Sequence, residues 1–246
     1  MPALSIRSLR KSFLLGPAHS ARRKEALSGV DLEVDEGESV GIVGGEGAGK
    51  TTLLLCAAGL LCRDSGALSW HGSWFEGGGI LPGVAYVPAL PTYYSFLTVR
   101  ESLDYYSNAE DLPAKRRLPL IENVCARLGL SGQLSTPIGE LSTDALKRVG
   151  IAQSLVESPS VVMLDSTLDG LTAGAPYART VLGDAVTAGV TVITTSRHAG
   201  VLAPVATRIV VMDAGRVTGS FASEPRAGSV FDELTPQRRH IAERVH

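Results

Sequence analysis

Apolar and polar positions along the chain repeat in two different patterns. Short apolar runs rich in β-branched residues predict strands at Val40–Val43, Val84–Val87, Val161–Leu164, Val190–Thr194 and Arg208–Met212. Longer stretches with a helical pattern lie between them, at Lys50–Leu61, Val99–Asn108, Lys115–Leu128, Asp144–Val156 and Pro176–Ala188. The third predicted strand is almost continuously apolar, as expected of a strand buried on both faces of a parallel sheet. The alternation predicts a doubly wound α/β fold with a mostly parallel sheet.

One part of the chain departs from this alternation, because residues 91–156 carry mainly helical patterns. We expect this part to be a helical insertion between strands of the sheet. The chain is then a single domain over 1–246. Residues 1–90 and 157–246 form its core and β subdomain, and 91–156 form the helical subdomain.

Three polar stretches are predicted to lie outside the regular elements. Gly16–Lys24 ends in three basic residues and is expected to be a solvated loop between two early strands, with contact to anionic lipid as the alternative. Ser223–Gly228 is expected to be another loop. The charged tail from Pro236 is expected to be a short helix or disordered.

Net charge, cysteine count and the length of the apolar runs argue against several classes of protein. The net charge of −2 over 246 residues gives no basic footprint, so nucleic acid is not an expected partner. Three cysteines do not suggest a disulfide framework and suit a reducing compartment. No apolar run reaches the roughly 18 residues needed to span a bilayer. If the protein works at a membrane, we expect a separate chain to hold it there.

The strongest motif is the octet Gly44–Thr51, which satisfies G-x-x-x-x-G-K-[ST] between a predicted strand and a predicted helix. Glycines let backbone N–H groups surround phosphate oxygens, and the helix directs its positive end at them. We expect Lys50 to reach the β- and γ-phosphates and Thr51 to ligate Mg²⁺. The candidate nucleotide-binding residues here are Gly44, Gly47, Gly49, Lys50, Thr51 and Thr52. The motif alone leaves kinases, GTPases and many ATPases open.

Five further stretches, in order along the chain, resemble the nucleotide-binding domain of ABC transporters. They are Ala26–Val34 before the phosphate loop, Tyr86–Pro88 with Leu97–Leu103 (the Q-loop region), Gly139–Ser142 with Lys147–Arg148 and Ile151–Ala152 (the signature helix), Val161–Asp165 with Gly170–Leu171 (the Walker B strand and D-loop), and Arg208–Val217. The resemblance implies a P-loop NTPase (RecA-like) core with an antiparallel β edge and a helical ABC subdomain. It also implies that ATP binds between two head-to-tail domains.

The resemblance assigns three more residues to the ATP site. Phe13 matches the aromatic residue that stacks on adenine, with a place in the core as the alternative. Asp165, at the end of a buried strand, matches the aspartate that holds Mg²⁺, usually through water. Ser142 matches the signature serine, which binds the γ-phosphate of the partner domain's nucleotide, that is, in trans.

The departures from the family pattern fall on catalytic positions. Ser166 stands where the family has the glutamate that polarises the attacking water. Ala89 replaces the Q-loop glutamine and Thr172 the terminal aspartate of the D-loop. The switch histidine aligns with Arg197, which can bind phosphate as a cation, while His198 lies one residue further along. Either of these two residues can fill the switch position.

The signature, usually Leu-Ser-Gly-Gly-Gln, is changed to Leu141–Ala145. Ser142 is kept, but both glycines are lost, and Asp144 brings negative charge towards a phosphate. Because a carboxylate is favourable at a helix N-terminus, we expect Asp144 to have a capping role.

These substitutions suggest a subunit that binds Mg-ATP but hydrolyses it poorly at its own site. The resemblance implies two partners: a second, more complete ATP-binding subunit that is a different chain, and a transmembrane permease. It places this chain at the cytoplasmic face of the membrane as a peripheral subunit. The aromatic residues around Tyr93, Tyr94, Phe96 and Leu97 fit the groove for the permease's coupling helix, or the core of the helical subdomain. A regulatory or scaffold subunit without transport is one alternative, and an ABC-type ATPase unrelated to membranes is another.

Overall fold

A computed structural model describes residues 2–16, 22–75, 79, 81–107 and 113–223. Within them the chain forms ten strands and six helices. The strands are β1 (Pro2–Leu15), β2 (Arg22–Asp35), β3 (Ser39–Val43), β4 (Ser65–Trp70), β5 (Ser73–Trp74), β6 (Val84–Val87), β7 (Val161–Asp165), β8 (Thr191–Ser196), β9 (Arg208–Asp213) and β10 (Arg216–Ala222). The helices are α1 (Lys50–Ala57), α2 (Val99–Ser107), α3 (Ala114–Arg127), α4 (Thr143–Val156), α5 (Ala175–Thr187) and α6 (Ala199–Leu202).

The central sheet has six strands in the order β10-β9-β3-β8-β7-β6. Its strands are parallel except for β10, which pairs antiparallel with β9 at the edge. Strand β3 lies between β8 and β9, so Val43 is next to Ser196 and Val211 at their carboxyl ends. Ligands of open α/β sheets bind outside these carboxyl ends.

Strand β7 separates two hydrophobic cores. Val161 and Met163 belong to the first core, with α1 and a four-stranded antiparallel sheet of order β2-β1-β4-β5. Val162 and Leu164 belong to the second core, with α2, α3, α4 and α5. Residues 161–165 are all buried, as predicted for a strand covered on both faces.

These elements confirm the predicted α/β fold with a mostly parallel sheet and an antiparallel edge. Between β6 and β7 the described residues contain only helices and short 3₁₀ turns as regular elements, in agreement with the helical insertion. The boundaries at residues 90 and 157 stay a prediction. In the described part of the chain, no helix combines the length and the apolar character needed to cross a membrane.

Two sequence-based boundaries were wrong. Helix α1 ends at Ala57 and not at Leu61, because Gly59 has φ +76° and the chain turns there. Arg22–Lys24 is not part of a loop but begins β2, where Lys24 pairs with Phe13 of β1.

Strands β4 and β10 were not predicted, because neither forms an apolar run in the sequence. The residues of β10 are mostly exposed, as is common on an edge strand. Of the predicted loops, residues 17–21 and 224–228 lie outside the described residues, as does the tail from Pro236.

Candidate nucleotide site

The loop between β3 and α1 requires glycine for two separate reasons. Gly47 and Gly49 have φ of +77° and +98°, which other L-residues adopt only with strain. A Cβ on Gly44 would lie 2.4 Å from the main-chain oxygen of Met212, and one on Gly49 would lie 2.4 Å from that of Ala26. The loop is therefore pressed against β9 and β2, and its shape depends on the absence of side chains.

Lys50 opens helix α1 and folds back over this loop. Only 8% of the residue is exposed, and Nζ donates to the main-chain oxygens of Gly44 at 2.8 Å and Gly45 at 2.9 Å. Burial lowers the pKa of Lys50, while the negative charges of Asp165 and Asp169 act in the opposite direction. The two carbonyls of its own loop are uncharged, so phosphate oxygens, which are charged, are stronger partners for the ammonium group and can replace them.

A cleft of about 760 Å³ lies over the loop. One part of its lining comes from the small antiparallel sheet: Phe13, Leu15, Lys24 and Ala26. A second part is the phosphate loop with the start of α1, from Glu46 to Thr52. The third part comes from α4 and from segments that follow β6, β7 and β8: Ala89, Lys147, Ser166, Asp169, Gly170 and Arg197. The cleft brings together most of the residues that the sequence analysis selected.

Phe13, the candidate adenine platform, lies on β1 at the cleft, and its stacking role stays a prediction. It lies in the cleft lining and is 36% exposed, so it is not a core residue. The Lys11 ammonium lies 5.5 Å from the centre of its ring. A flat aromatic surface with a cation beside it can stack on a nucleobase.

Asp165 ends β7 and is only 4% exposed. Its two carboxylate oxygens accept hydrogen bonds from the Thr195 hydroxyl at 2.8 Å and the Tyr86 hydroxyl at 3.1 Å. Burial, together with the Asp165 charge, raises the pKa of Tyr86, so the phenol remains a donor. Thr51 lines the cleft, whereas the buried Asp165 is not part of its lining. Carboxylate and hydroxyl oxygens are the type of ligand that Mg²⁺ takes, so the two residues fit this ion with water completing its coordination.

Ser166 follows Asp165 and faces the cleft in a strained conformation. Its φ is +52°, in the left-handed region, and its N–H donates to the Thr195 hydroxyl at 2.9 Å. The position where a family member has its catalytic carboxylate therefore presents a hydroxyl group to the cleft.

Asp169 is a carboxylate in the cleft that the sequence analysis did not select. It accepts a hydrogen bond from the hydroxyl of Ser196, and its main-chain oxygen accepts one from Lys147 Nζ. Asp169 lies three residues after Ser166, which is the one feature of the sequence that could have drawn attention to it. Its partners Ser196 and Lys147 lie on β8 and α4, so the contacts are visible only in the folded protein.

The two candidates for the switch position, Arg197 and His198, differ in whether they line the cleft. Arg197 belongs to the cleft lining and His198 does not. The main-chain N–H of His198 donates to the Ser196 hydroxyl at 2.9 Å and so fixes the turn after β8. The placement favours Arg197, while its role as the switch residue stays a prediction.

The altered signature begins helix α4. Ser142 is the N-cap: its hydroxyl accepts from the main-chain N–H of Ala145 at 3.2 Å. The capping role expected of Asp144 therefore belongs to Ser142. Ser142 is exposed, as binding to a nucleotide in trans requires.

Asp144 instead joins α4 to the segment after β7. It accepts from the main-chain N–H groups of Thr172 at 2.8 Å and Gly174 at 3.2 Å, and from Arg148 Nε at 2.9 Å. Partial burial opposes ionisation of Asp144. The two N–H groups and the guanidinium outweigh it and hold the pKa of the carboxyl below its usual value. We call this set of contacts the Asp144 clamp.

A smaller pocket of about 210 Å³ lies on the helical side of the protein, with Pro88, Tyr93 and Gln153 in its lining. The Tyr93 hydroxyl donates to Gln153 Oε1 at 2.8 Å. Tyr94 and Phe96 are 50% and 75% exposed, so the aromatic residues selected from the sequence are not all core residues.

Comparisons with known proteins agree with this geometry. The family model described as ABC transporter matches residues 27–169, more than half of the chain. Bicarbonate transport ATP-binding protein CmpC of Synechococcus elongatus is 32% identical over 178 residues, which are 70% of this chain and 26% of the relative. Taurine import ATP-binding protein TauB of Pelagibacter ubique is 30% identical over 60% of this chain and 55% of the relative.

The solved structures support the fold. The dimeric structure of MJ0796, a bacterial ABC transporter cassette, superimposes with a TM-score of 0.78 at 18% identity, covering 92% of this chain and all of the other. The chain spans less than two thirds of the length of the two relatives named above.

Proposed function

Because the chain belongs to the ABC transporter family, we propose that it is the ATP-binding subunit of a transporter complex that binds Mg-ATP but hydrolyses it poorly at its own site. The observation that carries the proposal is a contrast within one cleft. The phosphate loop keeps every residue that the motif requires, with Lys50 held over it. Ser166 provides no carboxylate at the position of the general base.

Each group has a role in this proposal. Phe13 stacks on the adenine, the loop N–H groups and Lys50 hold the phosphates, and Thr51 and Asp165 hold Mg²⁺. When bound, Mg²⁺ neutralises charge on the β- and γ-phosphates. A serine hydroxyl is a poor proton acceptor near neutral pH, and the loss of a positioned general base lowers a rate by about 10²–10⁴-fold. Bound ATP then remains in place as a ligand.

A second ATP-binding subunit, different from this chain, completes the assembly. Two copies of this chain would form two sites that both lack the glutamate and the signature glycines. With a more complete partner, ATP at this site stabilises the closed pair of subunits, because a ligand that prefers one state shifts the population towards it. Turnover then takes place at the partner's phosphate loop, with Ser142 of this chain facing it.

The permease is expected to dock on the aromatic surface of the helical side. Tyr94 and Phe96 are exposed there, and their ring centres lie 5.6 Å apart. Aromatic residues beside a shallow pocket suit the anchoring of a short helix. Such docking holds the chain at the cytoplasmic face of the membrane as a peripheral subunit.

The test is the ATPase rate of the purified complex in two matched variants. One carries Lys50→Ala in this chain, and the other has the corresponding lysine of the partner subunit changed to alanine. We expect the partner's change to abolish turnover and Lys50→Ala to reduce it only in part. Lys115→Ala, at an exposed position on α3, is the control.

Two results would contradict the proposal. Strong ATPase activity of this chain alone, lost in Lys50→Ala, would show that its own site is competent. Failure of the unmodified chain to bind Mg-ATP would refute the site altogether. Movement of a substrate that depends on Lys50 would separate a transporter from a regulatory complex without transport.

A further inference from the structure

The cleft contains a cation that the roles given above do not use. Ala89 lines the cleft at the position of the family's Q-loop glutamine, and its methyl group cannot bond a phosphate. Lys147 lines the same cleft but belongs to α4, the helix that begins with the altered signature. A charged side chain from the helical part of the protein therefore reaches the space over the phosphate loop.

The ammonium group of Lys147 is held inside this space and not in bulk water. The residue is half-buried, and Nζ donates to the main-chain oxygen of Asp169. Burial lowers the pKa of Lys147, with the charges of Asp169 and Asp144 opposing the effect. An ammonium carries three N–H donors, and the bond to Asp169 uses one of them, so donors remain for a ligand.

The neighbours of Lys147 indicate which part of a nucleotide it meets. The loop glycines and Lys50 surround phosphates at the start of α1. Lys147 belongs to the third part of the cleft lining, with Ser166, Asp169 and Arg197, and we call this part the opposite wall. The charges of Asp169 and Arg197 act on Lys50, so this wall lies near the lysine that is expected to hold the β- and γ-phosphates. A triphosphate carries one phosphate group more than a diphosphate, and a partly desolvated ammonium there attracts the added charge.

We propose that Lys147 is a further nucleotide-binding residue that contacts the terminal phosphate of ATP and so distinguishes ATP from ADP. The inference rests on the proposed ATP site and deepens it. Lys147 lies on the same helix as Ser142, so the contact joins the nucleotide on this chain's loop to the signature that faces the partner. A lysine on α4 then performs the sensing that Ala89 cannot.

The experiment is a calorimetric titration of the full chain with a non-hydrolysable ATP analogue and, separately, with ADP, both with Mg²⁺. Lys147→Met keeps the length of the side chain and removes its charge. We expect the affinity for the analogue to fall about tenfold, the effect of one lost bond to a charged group, with the affinity for ADP unchanged. Lys147→Arg is expected to keep most of the preference for the analogue.

Lys115→Met is the matched control, because it makes the same change at an exposed position on α3, outside the cleft. The melting temperature without nucleotide reports on folding. An equal loss for the analogue and ADP in Lys147→Met would show that Lys147 only orders the Asp169 segment, and no loss for either would show no contact. Both results overturn the inference. If the unmodified chain bound neither nucleotide, the ATP site and Lys147's role in it would both be refuted.

Discussion

Two parts of the cleft lining, the phosphate-loop wall (Glu46–Thr52) and the opposite wall, differ in what their polar groups bond. On the phosphate-loop wall, the hydrogen bonds seen for Lys50 among the described residues are to uncharged partners in its own loop, the oxygens of Gly44 and Gly45. On the opposite wall, Asp169 is engaged with Ser196 and Lys147. The first wall can exchange its bonds for those of a ligand at little cost, whereas the second uses its bonds to hold segments of the chain together. In the proposed function, nucleotide binding therefore rests on the phosphate-loop wall, and the loss of hydrolysis rests on the opposite wall.

The largest expected effect comes from repairing the opposite wall. Ser166→Glu returns a carboxylate to the position of the general base, and the ATPase rate of the assembled complex is expected to rise by about 10²–10⁴-fold. Measurement in complexes whose partner subunit has lost its own phosphate-loop lysine isolates this site. Ser166→Gln, similar in size but without a base, is the control, and an equal gain in both variants would contradict the assignment.

The next effect tests the shape of the phosphate-loop wall. Gly49→Ala adds a Cβ 2.4 Å from the Ala26 oxygen at a residue with φ +98°, and is expected to lower the free energy of unfolding by about 3 kcal/mol. Gly47→Ala has a similar φ, +77°, but no atom within 4 Å of the added Cβ, so about 1 kcal/mol is expected. Equal losses in urea unfolding would show that close packing against Ala26 is unimportant.

The Asp144 clamp ranks third. Asp144→Ala removes the acceptor of the Thr172 and Gly174 N–H groups and of Nε of the 10%-exposed Arg148 side chain, which keeps its bonds to the main-chain oxygens of Leu128 and Gly129. The expected loss is about 2 kcal/mol in the free energy of unfolding. Asp184, whose side chain is 61% exposed and pairs with Arg127, provides the control: Asp184→Ala is expected to cost less than about 1 kcal/mol.

The clamp also predicts a dependence on pH. The pKa of Asp144 is lower in the folded protein than the value of 3.8 for a free carboxyl. Its stabilisation is therefore complete above 3.8 and is lost as the pH falls through the folded value. The stability difference between the unmodified chain and Asp144→Asn is expected to shrink over this range. A difference that stayed constant would show that ionisation of Asp144 contributes nothing.

The smallest effect concerns the turn after β8. Arg197→Ala is expected to weaken binding of a non-hydrolysable ATP analogue about tenfold, as the loss of one charge-assisted bond would. The change is expected to exceed that in His198→Ala, because only Arg197 lines the cleft. A larger loss in His198→Ala would show that the turn rearranges to bring the histidine to the phosphate.

The loop between β3 and α1 could be predicted from the sequence because its residues are neighbours in the chain. A strand, glycines, a lysine and a helix in succession define the shape of this loop without reference to any other segment. The parallel strands were also predictable, since burial on both faces leaves a continuous apolar run. Strand β10 was missed because an exposed edge strand need not be apolar.

The contacts of the opposite wall and of the Asp144 clamp could not be predicted in the same way. Asp144 and Thr172 are 28 positions apart, and Lys147 and Asp169 are 22 apart. A carboxylate in the first turn of a helix usually binds its own helix end, which was the expected role of Asp144. In the structure Ser142 caps the start of α4, and Asp144 instead accepts hydrogen bonds from the segment after β7. No property of either segment alone indicates the pairing.

The Asp144 clamp restricts the order in which this sequence can return to the family pattern. Asp144→Gly alone would restore a signature glycine but remove the acceptor for Arg148 and for two N–H groups. Thr172→Asp alone would place a second carboxylate beside the first, which like-charge repulsion disfavours. Each reversion is thus expected to be harmful while the other position keeps its present residue. The two positions are epistatic, and a lineage that acquired both substitutions would find an active signature difficult to regain by single mutations.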